Sequence, residues 1–330
     1  MKRDELATFF AEPLIDMGEK EPAFEGIHAP QGALGAQPIG VTAQFLENAE
    51  QYHRAYFDTS YWDTLLGPAL EAAGNPAPAR IIDIGSGSGN SVMPLAGRFP
   101  RARIVATDIS PQLLAILRNF LRARPGGDER FGLVCVDAMA APYRAGVADL
   151  AVGAAMLHHM LEPERVLERC MHALAPGGWA IFFEPFEAGN ALLYLTYCRI
   201  LAQASPAERA APGLQMIARW IDDYRQRHRP RDDPFYRQLD DKWMFTRTYF
   251  ERLRAKQGWA ELITYALHVK PTGYRDQARV HLRLGAGLEP EALPPWAWSV
   301  LDESDAALSD DLRAELAQEA AILLRKSQRP

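Results

Sequence analysis

Short, continuously apolar runs alternate with amphipathic ones through the middle of this 330-residue chain. Arg80–Ile84, Ala102–Thr107, Phe131–Val136, Val147–Gly153 and Trp179–Phe183 lack the in–out alternation of a half-exposed sheet and read as strands buried on both faces. Between them lie helical patterns. Ser91–Arg98 is the first, and Pro111–Arg124 follows with a stripe of Leu113, Leu114, Leu117, Phe120 and Leu121. Pro163–Leu174 is the third, with Val166, Leu167, Cys170 and Met171 on one face. Ser110 ahead of Pro111 has the form of an N-cap before proline at the first helical position, and Pro176-Gly177-Gly178 stops the third helix. Strands alternating with helices imply parallel crossover units.

The pattern divides the chain into four parts. Residues 1–78 form an N-terminal helical cover, 79–188 the α/β core, 189–257 an inserted helical lid, too long for a connecting loop, and 258–330 the strands and helix that complete the core. Ala260–Val269 reads as a strand, and Ala320–Arg325 as a strand or as a continuation of the helix begun near Asp310. The fold class expected is α/β, with a doubly wound, mostly parallel sheet.

Composition narrows the function. With 48% hydrophobic and 24% charged residues the chain can build a sizeable core. A net charge of −6 disfavours a nucleic-acid partner, and the basic residues Arg219, Arg225, Arg227, Arg229 and Arg231 are interleaved with Asp222, Asp223, Asp232 and Asp233. The N-terminus lacks a signal-like apolar run and no stretch reaches ~18 uncharged apolar residues, so a cytoplasmic protein without membrane contact is expected. Cys135, Cys170 and Cys198 lack metal-ligand spacing and suggest neither a disulfide nor a metal site.

The sharpest local signal is Ile81-Ile82-Asp83-Ile84-Gly85-Ser86-Gly87-Ser88-Gly89-Asn90, an apolar strand entering a glycine turn that opens a helix. Glycines at alternate positions let a ligand approach backbone where a Cβ would clash, and the helix start offers unpaired N–H groups. A dinucleotide fingerprint would space its third glycine one residue later. Asp108 ends the next strand, 19 positions after Gly89, and Asp137 follows Leu133-Val134-Cys135-Val136.

On these residues the segment 80–186 resembles the class I S-adenosylmethionine-dependent methyltransferases, whose first motif is an acidic residue followed by G-x-G-x-G. The resemblance implies a seven-stranded Rossmann-like sheet and S-adenosylmethionine as cofactor. It puts Gly85, Ser86, Gly87 and Gly89 under the methionine and ribose, and Asp83 near the ammonium, directly or through water. Asp108 and Ile109 fall at the ribose, Asp137, Ala138 and Met139 at the adenine, and Ala155 beneath the sulfonium. Leu174-Ala175-Pro176-Gly177-Gly178 matches the turn before the fifth strand. In relatives, helices ahead of the first strand close over the cofactor, which assigns Tyr52, Tyr56 and Trp62 to a cover.

Methyl transfer asks mainly for positioning and exclusion of water, with a base where the nucleophile carries a proton. His158 and His159, just past the fourth strand, and Glu184, at the end of the fifth beside Glu187, are the candidates. Each has a plain structural alternative as a packed imidazole or a capping carboxylate. Tyr194, Tyr197, Trp220, Tyr224, Trp243, Arg247, Tyr249 and Arg283 would suit a pocket for a small carboxylated or aromatic acceptor. The function expected is methylation of a small molecule, a secondary metabolite by preference. The alternatives are a cyclase or lyase that releases methylthioadenosine, a non-catalytic cofactor-binding scaffold, or, disfavoured by the glycine spacing, a nicotinamide dehydrogenase. The oligomeric state is left open, a homodimer included.

Overall fold

A computed structural model of the chain describes residues 1–32, 48–124, 129–267 and 273–328. The last two positions of the strand expected over Ala260–Val269 lie outside the described residues.

Two compact units are present. The first comprises Met1–Glu184, Arg247–Thr264 and Ala321–Pro330, and the second Pro185–Thr246 and Tyr265–Ala320. The strands are β1 (Leu14–Asp16), β2 (Ile27–Pro30), β3 (Arg80–Ile84), β4 (Arg103–Asp108), β5 (Phe131–Cys135), β6 (Ala148–Ala154), β7 (Leu174–Pro185), β8 (Glu261–Ala266) and β9 (Glu319–Arg325). They form one sheet in the order β1-β2-β5-β4-β3-β6-β7-β9-β8.

The centre is parallel, with β3 between β4 and β6, β5 beyond β4, and β7 beyond β6. Each parallel step needs a crossover, and those next to β3 and β4 are made by α3 (Val92–Arg98) and α4 (Pro111–Arg122), with α1 (Ala49–Tyr56) and α2 (Thr59–Ala72) ahead of β3 and α5 (Pro163–Ala173) ahead of β7. Ile81, Ile82, Ile104, Val105, Ala106, Leu150, Val152, Ile181 and Phe182 are almost completely buried, as continuous apolar runs require of strands covered on both sides. Strand β9 runs antiparallel to β7, with Lys326 N donating to Gly178 O at one end and Phe186 N donating to Gln318 O at the other. The doubly wound class is therefore observed, and Ala320–Arg325 is strand, the preceding helix ending at Glu315.

The sheet has nine strands where seven were expected. The two additional ones come from the front segment, where β1 pairs antiparallel with β2, and β2 lies parallel beside β5 through Ile27 against Leu133 and His28 against Val134. Asp16 closes this hairpin by accepting from the backbone of both Gly18 and Gly26. Strands of three and four residues are too short to show a period, which is why the segment read as wholly helical.

Local chemistry explains the element ends. The Ser110 hydroxyl accepts from Leu113 N at 3.2 Å and is fully buried, as its place before Pro111 implied. Ser110→Ala is expected to lower stability by about 1 kcal/mol in urea unfolding, the usual contribution of a side-chain N-cap. Cys135, Cys170 and Cys198 are all free, and burial pushes the Cys135 thiol up to about 12. No helix among the described residues is long and apolar enough to cross a membrane.

In the second unit, α6 (Glu187–Gln203) and α7 (Pro212–Arg227) supply Leu193, Tyr197, Ile200, Leu214, Ile217 and Ile221 to a core shared with Leu282 and Leu301. Much of the aromatic content read as a pocket lining is used here in internal stacking. Tyr194 stacks on Tyr224 and Tyr224 on Trp220, while Arg225 covers Tyr194. Tyr197 meets His281 Nδ1 at 3.0 Å, and Arg231 lies over Trp243. Arg247 and Tyr249, by contrast, belong to the first unit, in α8 (Arg247–Gln257).

Candidate cofactor site

The C-terminal ends of β3, β4, β5 and β6 bring the candidate residues together, because β3 sits where the strand order reverses and the crevice of an open α/β sheet forms there. The turn leaving β3 is built from three left-handed glycines, Gly85 (φ +66°), Gly87 (φ +51°) and Gly89 (φ +109°). They serve different ends. A Cβ on Gly85 would stand 2.9 Å from Met156 Cβ and one on Gly89 2.6 Å from Leu117 Cδ1, so those two glycines permit close packing. At Gly87 a Cβ would meet nothing within 4 Å, which leaves this peptide bordering open space.

Asp108 holds the turn in place. Its Oδ2 accepts from Gly87 N and its Oδ1 from Ser110 N, both at 2.8 Å, so one carboxylate joins the glycine turn to the start of α4. Burial raises the carboxyl above the usual carboxylate range, and the N–H groups of Ser110, Gly87 and Ile109 oppose the rise. Asp137 Oδ1 accepts from Met139 N at 2.9 Å, whereas its Oδ2 is buried with no hydrogen-bond partner. Ala138 and Met139 are buried beside it.

Asp83 is wholly buried, and neither carboxylate oxygen has a hydrogen-bond donor. Burial pushes its carboxyl up to about 7, Asp108 adds to the rise, and the hydroxyls of Ser86 and Ser91 work against it. A carboxyl with a folded value above its unfolded one stabilises the fold below pH ~4 and loses that contribution as pH rises through about 7. Asp83→Asn is therefore expected to stabilise the ligand-free protein more at pH 8 than at pH 4 in paired urea titrations. An equal effect at both would mean that the carboxyl is already paired.

The front helices are pinned directly to the glycine turn. His53 Nδ1 meets Ser88 Oγ at 2.9 Å, Asn90 Nδ2 donates to Tyr56 O, and Asp58 N donates to Asn90 Oδ1. Tyr52 and Tyr56 pack ring to ring at 4.8 Å on the same helix, and Trp62 meets Phe183 edge-on at 5.9 Å. Neither His53 nor Asn90 is marked by its local sequence as a tether of this turn. Nothing in a linear sequence links positions 34 and 35 residues apart.

After β6 the chain makes a tight turn. Ala155 takes φ +52°, one of two described non-glycine residues with positive φ. Such a backbone costs about 1 kcal/mol or more and needs surrounding bonds to hold it. Glu184 supplies them, since its buried side chain accepts from Met156 N (3.0 Å) and Leu157 N (2.7 Å) at Oε1, and from His158 N (3.2 Å) at Oε2. His158 Nδ1 lies 2.7 Å from Oε2, and the His159 ring is 4.0 Å from that of His158. Of the two acidic residues flanking Pro185-Phe186, Glu184 lies inside this turn. Glu187 belongs to the second unit, where it meets His228 Nε2 at 2.5 Å and Tyr224.

Comparison with known proteins finds a methyltransferase domain in the same stretch of chain. Residues 82–182 match the family model described as a methyltransferase domain. Over 132 residues the chain is 33% identical to demethylmenaquinone methyltransferase of Thermus thermophilus, covering 39% of this chain and 59% of that protein. It is 37% identical over 121 residues to trans-aconitate 2-methyltransferase of Variovorax paradoxus, covering 36% and 44%. It is also 34% identical over 122 residues to malonyl-[acyl-carrier protein] O-methyltransferase of Methylococcus capsulatus, covering 37% and 43%. The chain thus spans roughly half the length of the curated relatives it matches. Among solved structures, phosphoethanolamine N-methyltransferase 2 of Haemonchus contortus shares the fold at 14% identity and a TM-score of 0.51, over 86% of this chain and 58% of that one. The segment 82–182, which carries the glycine turn and its carboxylates, is thus similar in sequence to methyltransferase domains, and the sheet around it has the Rossmann-like methyltransferase fold.

Proposed function

We propose that this chain uses S-adenosylmethionine to methylate a small-molecule acceptor in the cytoplasm. The observation that carries the reading is the open space over Gly87 in a turn clamped by Asp108, with unpaired carboxylate oxygens at Asp83 and Asp137 to either side in the chain. Buried acceptors without donors are costly; a ligand's adenine amino group would satisfy Asp137, and its ammonium would offset the Asp83 carboxylate directly or through water.

In this reading Gly85, Ser86, Gly87 and Gly89 present backbone to the methionine and ribose. Asp108, with lone pairs left after its two backbone bonds, and Ile109 hold the ribose hydroxyls. Asp137, Ala138 and Met139 receive the adenine, and Asp83 balances the ammonium from behind the turn. Ala155 brings the strand end close to the sulfonium, and Tyr52 and Tyr56 cover the site, their rings favourable neighbours for a cation. The bound sulfonium supplies an activated methyl carbon. The chain's residues orient the acceptor toward it, keep water away, and accept a proton where the nucleophile carries one. His158 and His159 are the imidazoles we assign to that last step.

The named acceptors of the relatives differ widely, so they serve as a panel: demethylmenaquinone, trans-aconitate and a malonyl-acyl-carrier protein. The test is incubation of purified protein with S-adenosylmethionine alone, with each panel member, and with cell extract, followed by mass spectrometry of the nucleoside product. S-adenosylhomocysteine formed only when an acceptor is present supports methyl transfer. Methylthioadenosine formed without an acceptor would replace it by cyclisation or elimination, and binding without any product by a scaffold.

A further inference from the structure

We infer that Glu184 is a positioning residue that holds the turn after β6 in its strained shape and fixes His158 as the Nδ1–H tautomer. The inference rests on the methyl-transfer reading for its effect on rate, but not for the geometry.

Glu184 sits at the end of β7, next to β6 in the sheet, so it reaches across to the neighbouring strand's turn. Its two oxygens meet four donor positions within one turn, the N–H groups of Met156, Leu157 and His158 and the ring nitrogen Nδ1 of His158. Such an arrangement suits a carboxylate that organises its surroundings better than one that exchanges protons with an acceptor, because its lone pairs are already engaged and its side chain is sealed from solvent. An ionised carboxylate can only accept, so the hydrogen between it and His158 belongs to Nδ1. In the neutral ring the lone pair then resides on Nε2.

The same bonds hold Ala155 at positive φ. Ala155 N donates to Phe183 O, one residue before Glu184, so both ends of the turn are tied to the same stretch of β7. Loss of the carboxylate would release the peptide that follows Ala155 together with the ring orientation.

Glu184→Gln separates the two tasks. Its carbonyl oxygen can still accept from Met156 N and Leu157 N, while its amide would donate to Nδ1 and move the ring hydrogen to Nε2, with the loss of the single bond that Oε2 accepts from His158 N. Ring nitrogen-15 NMR of the full chain at about pH 9, where an ordinary imidazole is neutral, reads the tautomer directly. The His158 signal is assigned by its loss in His158→Gln. The expected result is hydrogen on Nδ1 in the unmodified protein and on Nε2 in Glu184→Gln. S-adenosylhomocysteine formation with cell extract as acceptor source is expected to fall roughly 100-fold, the usual scale for a misplaced base, with S-adenosylmethionine affinity within about twofold. Hydrogen on Nε2 in the unmodified protein would overturn the inference even if the variant failed to fold, and so would an unchanged rate in a folded variant. Absence of product from the unmodified protein would instead remove the methyl-transfer reading and with it the predicted rate effect. The two failures are distinguishable because the tautomer measurement needs no turnover.

Discussion

Asp108→Ala is expected to raise the dissociation constant for S-adenosylmethionine by roughly 100-fold in calorimetry, equivalent to about 2.7 kcal/mol. Two losses combine. The ribose acceptor disappears, and the N–H groups of Gly87 and Ser110, each bonded to this carboxylate at 2.8 Å, lose their partner. A buried donor left unpaired costs about 1–3 kcal/mol, and the Gly87 peptide is the part of the turn that borders open space. The variant should therefore be less stable as well as weaker in binding. Asp108→Asn keeps one acceptor oxygen but turns an amide toward one N–H, so a smaller loss, about tenfold, is expected. Unchanged affinity in the alanine variant would count against the whole register, from Asp83 through Asp137.

Gly87→Ala and Gly89→Ala should fail in opposite ways. At Gly89 the new methyl would lie 2.6 Å from Leu117 Cδ1 on a backbone with φ +109°. Overpacking of this kind costs about 1–3 kcal/mol and the backbone strain a comparable amount, so a large fall in the urea midpoint is expected. At Gly87 there is space, and the left-handed φ of +51° costs only about 1–2 kcal/mol. Stability should fall modestly, while cofactor affinity drops at least 30-fold because the methyl occupies the space over the peptide. Paired thermal melts and binding isotherms on the two variants make the check. Full affinity in Gly87→Ala would place the cofactor elsewhere.

The alternation of apolar runs and amphipathic helices was enough to locate β3 to β7 and the helices between them to within a few residues at most termini. Buried parallel strands and one-sided helices carry strong local patterns, and Ser110 marks one helix start, whereas Pro176-Gly177-Gly178, expected to end the third helix, lies inside β7, which begins at Leu174 directly after that helix. The glycine turn was legible for a similar reason, since Gly85, Gly87 and Gly89 encode a backbone shape position by position. The hairpin of β1 and β2 was missed because three or four residues cannot display a period, and its pairing with β5 joins segments about a hundred residues apart. The aromatic residues of α6 and α7 suggested a lining, yet in the folded chain several stack on one another. Composition cannot distinguish a ring that faces a ligand from one that faces its neighbour.

Glu184 shows the limit most clearly. As a letter in the sequence it is an acidic residue at a strand end, equally suited to acting as base, cap or solvated charge. Only the placement of β7 beside β6 makes its carboxylate the acceptor for three successive N–H groups and an imidazole 26 residues away. By itself the sequence determined the class of fold, the order of the central strands along the chain, and which residues can form a cofactor turn. These follow from local sterics and hydrophobic period, which act between near neighbours. Tertiary structure alone decided the edge strands, the pinning of His53 and Asn90 across the turn, and the partner that holds His158, because each depends on hydrogen bonds that form only after distant segments have packed.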